Sequence, residues 1–232
     1  MILYGRNPVR EALRAKRRQV TSVWATENAA REPWLREHRD VRIAGAEELK
    51  RTCGSPEHQG VCAETDGYPY AGAGELLGTA DPFIVALDEL QDPQNLGAIC
   101  RSAECAGATG VAICERRAAA VTAAVAKASA GAVEHLRIAR VRNLADFLAD
   151  AKTAGCWCYG ADAQAHVAYD EPDYSGGVVL VMGAEGTGLR PRVAKSCDAL
   201  VSLPMRGQVQ SLNASAAAAA LMYGILQRRT RA

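Results

Sequence analysis

Short, wholly apolar runs separated by helix-length stretches constrain this chain more than any other feature. Phe83-Ile-Val-Ala-Leu87, Gly110-Val-Ala-Ile-Cys114 and Val178-Val-Leu-Val-Met182 carry no charged or amide side chain. A strand without polar alternation is buried on both faces, the condition of a parallel strand in a sheet covered by helices. Weaker runs at 156–160 and 199–203 extend the series, so an α/β domain is expected from residue 81 to 232. Ligands of such sheets bind beyond the carboxyl ends of the strands, which directs attention to the loops after Leu87, Met182 and Leu203.

The N-terminal part alternates on a smaller scale. Residues 7–15 read as a helix with Pro8 at its first position, followed by a strand at 20–25, a helix at 29–38, a strand at 41–44, a helix at 46–51 and a strand at 60–64. This makes residues 1–66 a small α/β domain. The glycine-rich stretch Asp66-Gly-Tyr-Pro-Tyr-Ala-Gly-Ala-Gly74 leads from it into an expected linker, 67–80. No repeat of fixed period is present, and the alanine run Ala216–Ala220 favours a helix near the C-terminus.

Composition excludes several classes. Apolar residues at 49% and charged residues at 23% suit a packed globular chain rather than a disordered one. The net charge of +1 gives no long-range field that would collect nucleic acid indiscriminately, although residues 1–60 hold 12 basic against 8 acidic residues. The eight cysteines are scattered and no apolar leader precedes them, so reduced cytoplasmic thiols are expected. Cys156 and Cys158 lack CxxC spacing and a nearby histidine pair, so no metal site is expected. The uncharged stretch 207–227 begins with polar side chains and reads as a helix buried in protein, not a membrane span.

Three loops look chemical. The first joins a buried strand to a helix, with Asp92-Pro93 and Asn95 as turn and cap residues and Arg101 nearly two turns in. A cation near a helix start opposes the dipole, so Arg101 is expected to meet an anion, with phosphate the foremost choice. The second, Gly183-Ala-Glu-Gly-Thr-Gly188, follows an all-apolar strand with glycines whose backbone can approach a ligand. Its spacing is neither GxGxxG nor a P-loop, which argues against a dinucleotide or nucleoside triphosphate. The third leaves a strand at Leu203 and enters the alanine-rich helix past Ser211 and Asn213, either of which suits a helix cap.

With these motifs in order, the sequence resembles the SpoU/TrmH branch of the SPOUT RNA 2′-O-ribose methyltransferases, most closely its bacterial 23S rRNA guanosine members. The likeness rests on Asn95-Leu-Gly97 to Arg101, on Gly183-Ala-Glu185-Gly-Thr-Gly188, and on Leu203-Pro204-Met205 with Ser211-Leu-Asn213-Ala-Ser215. The N-terminal Tyr4-Gly5-Arg6-Asn7-Pro8-Val9 and His58-Gln59-Gly60 are similar to the family's small RNA-binding domain. One departure is Ala214, where valine is common.

The resemblance implies a parallel sheet whose C-terminal chain threads a deep trefoil knot, with S-adenosylmethionine held there by Gly183, Leu203, Met205 and Leu212. It implies Arg101 as the residue that activates or stabilises the ribose oxygen, oriented with Asn95, Glu185, Ser211 and Asn213. It further implies a cytoplasmic homodimer acting on RNA, with rRNA favoured over tRNA and no membrane partner. Beside an RNA enzyme, Arg14, Lys16, Arg17 and Arg18 read as a phosphate grip. A non-catalytic RNA-binding assembly factor with the same fold is the alternative of a different class.

Overall fold

The computed structural model describes residues 1–38, 40–209 and 211–230. The chain forms two compact units: Met1–Pro69 with Ala120–His135, and Tyr70–Ala119 with Leu136 onward.

The first unit begins β1 (Ile2–Tyr4), α1 (Arg6–Ala15), β2 (Val20–Ala25), α2 (Pro33–Arg36), β3 (Val41–Ile43), α3 (Ala46–Cys53), β4 (Val61–Thr65). Its sheet has the order β1-β4-β2-β3, with β4 antiparallel to both neighbours and β3 parallel to β2. Gly5 caps α1 at φ +94°, a conformation that disfavours any residue with a Cβ. The helix expected over 29–38 is instead a 3-10 turn at Ala29–Arg31 and the single turn α2. Pro33 is the cause: the residue before a proline is pushed out of the helical region, and Glu32 sits at ψ 134°.

The second unit starts with α4 (Ala73–Leu77), β5 (Phe83–Leu87), α5 (Pro93–Cys105) and β6 (Gly110–Cys114). The chain then returns to the first unit for α6 (Ala123–Ala128) and a 3-10 turn at Ala132–Glu134. It completes the second unit with β7 (Ile138–Val141), α7 (Leu144–Thr153), β8 (Cys156–Ala161), β9 (Val167–Ala168), β10 (Gly177–Met182), α8 (Pro191–Ser196), β11 (Ala199–Ser202) and α9 (Ala214–Arg229).

The returning segment is held by polar contacts within the first unit. Arg18 donates two hydrogen bonds to the Glu134 carboxylate, and both side chains are 1% exposed. His135 bonds Glu11 at 2.9 Å, Tyr68 Oη donates to the Val133 carbonyl at 2.9 Å, and Lys127 Nζ donates to the Glu57 carbonyl at 3.0 Å. Two members of the expected phosphate grip are therefore turned into the protein, while Arg14 and Lys16 stay exposed. Arg18 is sealed from solvent, Arg14 pairs with Glu11 at 2.9 Å, and Arg17 lies over the Tyr68 ring and donates to the Pro69 carbonyl. His58 closes a turn, its Nδ1 accepting from the Gly60 amide at 3.0 Å.

The seven-stranded sheet is parallel throughout, in the order β7-β6-β5-β10-β8-β11-β9. One face buries Ile84, Ala86, Ala112, Val179 and Val181 with Leu144, Phe147 and Leu148 of α7 and Val193 of α8. Period-two alternation turns Val85, Leu87, Val111, Ile113, Leu180 and Met182 to the other face, where α5 packs on β6 and α9 on β10. Each fully buried Val, Leu or Ile contributes about 1.5–3 kcal/mol, which explains why these runs tolerate no polar residue. β10 enters late in the chain yet lies between β5 and β8, so the strand order reverses beside it. Among the described residues no helix is long and apolar enough to cross a membrane.

Candidate functional site

The loop after β10 is fixed at both ends. At its start, a Cβ on Gly183 would collide with the backbone of Gly188 and Leu189, so only glycine lets the loop fold back this tightly. Ala184 and Gly188 then exchange backbone hydrogen bonds of 3.2 and 2.9 Å, with Gly186 and Gly188 at positive φ. At its end, Arg190 donates its backbone N–H and Nε to the buried Asp88 carboxylate, each at 2.8 Å, and Nη1 to Glu89 at 2.9 Å. The Asp88 carboxylate raises the Arg190 pKa further, with burial opposing and Glu89 assisting. This clamp joins the end of β5 to the loop after β10.

Glu185, at the exposed tip of that loop, accepts a hydrogen bond from Asn95 Nδ2 at 3.2 Å. Asn95 Oδ1 in turn accepts from Asn213 Nδ2 at 3.0 Å. Asn213 Oδ1 caps α9 by accepting from the Ser215 and Ala216 amides. An ionised carboxylate only accepts, so Glu185 dictates the orientation of the Asn95 amide and, through it, that of Asn213. Asn95 itself is placed by the Asp92 cap of α5, whose carboxylate accepts from the Gln94 and Asn95 amides. Three separated motifs are thus tied by one chain of hydrogen bonds.

Beside this chain lies a cavity of about 490 Å³, within the usual range for small-molecule sites. Gly183 and Glu185 come from the loop after β10, Leu203 and Met205 from the loop after β11, and Ser211 and Leu212 from the entry to α9. All four expected cofactor residues therefore share one wall system with two of the expected catalytic residues. Asn95 and Asn213 reach the same place through the Glu185 network. Sequence reasoning missed Asp162, Ala163 and Gln164, which line the cavity from the end of β8. The only available signal was the rule that any parallel strand can contribute at its carboxyl end.

Arg101 stands apart. It is exposed on α5, outside the residues lining the cavity, and makes no hydrogen bond or ion pair among the described residues. Six residues beyond Asn95, it points roughly 120° around the helix from that buried amide. Three of the thiols offer no substitute nucleophile: burial pushes Cys100, Cys158 and Cys197 up to about 12, leaving them protonated at neutral pH.

The SpoU rRNA Methylase family signature matches residues 82–223, and that of RNA 2′-O ribose methyltransferase substrate binding matches residues 2–71. A putative TrmH family tRNA/rRNA methyltransferase, YacO of Bacillus subtilis, is 39% identical over 97% of this chain and 94% of its own length. Among solved structures, the SpoU methyltransferase AviRb from Streptomyces viridochromogenes superposes with a TM-score of 0.83 at 26% identity, covering 100% of this chain and 90% of that one. The same enzyme in complex with AdoMet gives 0.82 at 24% identity, covering 99% and 90%.

Proposed function

The chain belongs to the SpoU rRNA methylase family of RNA 2′-O-ribose methyltransferases, and on that premise we propose that it methylates a guanosine ribose in 23S rRNA using S-adenosylmethionine. The observation that carries this reading is the cavity at the carboxyl ends of β8, β10 and β11, bordered by the Glu185–Asn95–Asn213 network. The first unit then serves RNA recognition and the second serves catalysis, with the knotted threading the family implies.

The cavity fits the donor chemically: apolar side chains from Leu203, Met205 and Leu212 suit an adenine and a methionine chain, while close-approaching backbone at Gly183 suits polar edges. When bound, S-adenosylmethionine supplies a methyl group already activated on a sulfonium. What remains for the protein is placement, and orienting the reacting atoms lowers the barrier through proximity alone. Asn95, Glu185, Ser211 and Asn213 hold the loops that define the attack position. A guanidinium offers no lone pair to accept a proton, so the role of Arg101 is to bind an adjacent phosphate and stabilise the ribose oxygen as its hydroxyl proton passes to solvent.

Because Arg101 lies outside the cavity of its own chain, this reading takes a homodimer as the working unit, with Arg101 of one protomer serving the partner's cavity. Exposed apolar side chains at Met205, Val209, Leu212 and Tyr223 and the absence of charge from Ala214 to Gln227 support such an interface.

Transfer of labelled methyl from S-adenosylmethionine to unmodified 23S rRNA and tRNA transcripts tests the assignment. Label on rRNA is expected; label on tRNA alone would move the substrate, and RNA binding without label would make the protein a non-catalytic assembly factor. Arg101→Ala and Gly183→Ala should each abolish turnover. Mixed and reassociated, the two variants should recover activity, because one of the two sites in a heterodimer then has both intact parts; no recovery would sink the shared site.

A further inference from the structure

The carboxyl edge of the seven-stranded sheet carries two kinds of surface. The ends of β8, β10 and β11 open into the cavity. The ends of β6 and β7 instead continue into Glu115-Arg116-Arg117 and Arg142-Asn143. Arg116 and Arg142 are exposed, and among the described residues neither makes a hydrogen bond or ion pair.

Arg142, Asn143, Ala145, Arg190, Arg192 and Val193 line a hollow of about 230 Å³. Asn143 caps α7 there, its side chain accepting from the Ala145 amide at 3.0 Å, so the positive end of a ten-residue helix borders the hollow. Several of the nearby cations are already matched. Arg190 is held by Asp88 and Glu89, Arg192 by Asp146 at 2.7 Å, and Arg117 approaches Glu89 at 3.8 Å. Glu115 opposes from the same loop. Arg116 and Arg142 remain uncommitted. At the opposite edge the described residues leading into the strands include Asp81, Thr109, Gly155, Gly176 and Asp198, with one exposed cation, Arg137, and no pair of them.

We propose that the ends of β6 and β7 form a phosphate track, along which single-stranded RNA extends from the cavity with its phosphates on Arg116 and Arg142. The proposal rests on the methyltransferase reading above and adds the direction of the strand. Strand order supplies the geometry. From β10 the edge passes β5 and β6 to reach β7, three inter-strand steps or about 14 Å, which a few nucleotides span. An uncommitted guanidinium at a strand end offers a planar fork that matches phosphate oxygens. A flexible single strand can follow this edge while its bases stay free of it.

The experiment measures binding of a fluorescently labelled, mixed-sequence single-stranded RNA to the full chain across a salt series. Arg142→Glu should weaken binding several-fold and reduce the slope of log Kd against log salt by about 0.7, the value for one single-strand phosphate contact. Arg116→Glu combined with Arg142→Glu should reduce it by about 1.4. Arg137→Glu, at the other end of β7 with the same charge change, should leave both quantities at wild-type values. Unchanged S-adenosylmethionine binding by each variant verifies the fold. Equal weakening by Arg137→Glu and Arg142→Glu, or none by either, overturns the track. Methyl transfer by the wild type is read separately. A wild type that transfers no methyl while keeping the Arg142-dependent slope removes the function and leaves the track, and the converse result removes the track alone.

Discussion

The arginines around the end of α1 in the first unit and three arginines of the second differ in what they meet. In the first, Arg18, Arg14, Arg17 and Lys127 are spent on internal partners, and the most deeply buried of them neutralises a carboxylate brought back by a later stretch of chain. In the second, Arg101, Arg116 and Arg142 stand on exposed positions without partners among the described residues. Within the basic run of the first unit Arg17 and Arg18 are turned inward, whereas Arg14 and Lys16 stay exposed, as do Arg31, Arg36, Arg42, Lys50 and Arg51. Charge counted along a chain measures what is available to folding and to ligands together; burial and partners divide it between them.

The contrast breaks most readily at Arg18. Arg18→Met leaves Glu134 charged and buried with no counter-ion, and a loss of about 3–5 kcal/mol in urea unfolding is expected. Arg18→Met combined with Glu134→Leu should recover most of it, because replacing both members of a buried pair removes the desolvation cost. If the single variant unfolds like wild type, the buried pair does not define the first unit.

A smaller and more local effect is expected at Gly183 in the second unit. Gly183→Ala forces the Ala184–Gly188 turn open, so S-adenosylmethionine affinity measured by calorimetry should fall at least tenfold. The overall unfolding midpoint should move little, because the turn lies outside the sheet core. Retained affinity would show that the cavity does not depend on the close fold of this loop.

The smallest effect concerns acid. Burial opposes ionisation of Glu11, but hydrogen bonds from His135, Arg10 and Arg14 outweigh it and hold the carboxyl below its ordinary value of 4.5. A carboxylate depressed in the folded state adds stability that is fully present above pH 4.5 and is lost as pH falls through the lower folded value. Glu11→Gln should therefore flatten the acid limb of a stability–pH curve without steepening it elsewhere. An unaltered acid limb would remove Glu11 from the account.

The sequence disclosed those parts of the fold that depend on neighbouring residues. The apolar runs at Phe83–Leu87, Gly110–Cys114 and 178–182 became β5, β6 and β10 because double burial excludes polar side chains along the whole strand. β7 escaped notice because it is four residues long and exposes Arg140 in its middle, which breaks the uniform pattern. At the site, the glycine loop and the cap residue Asn213 were visible as local chemistry. The Asp88–Arg190 clamp joins residues 102 apart, and nothing in either neighbourhood marks the other. The inward turn of Arg18 was hidden for the same reason, its partner lying 116 residues away. Arg101 was legible as a cation near the start of α5 that should meet an anion, and among the described residues it makes no hydrogen bond or ion pair.

The return of α6 and the Ala132–Glu134 turn to the first unit also governs how that unit is completed and inherited. A chain cut at Pro69 would lack the Glu134 carboxylate that matches Arg18, so the N-terminal sheet is complete only with residues as far as His135. For the same reason the recognition part is not a cassette. Grafting it onto another catalytic body requires moving two stretches of gene together, with Arg18 and Glu134 exchanged as a pair.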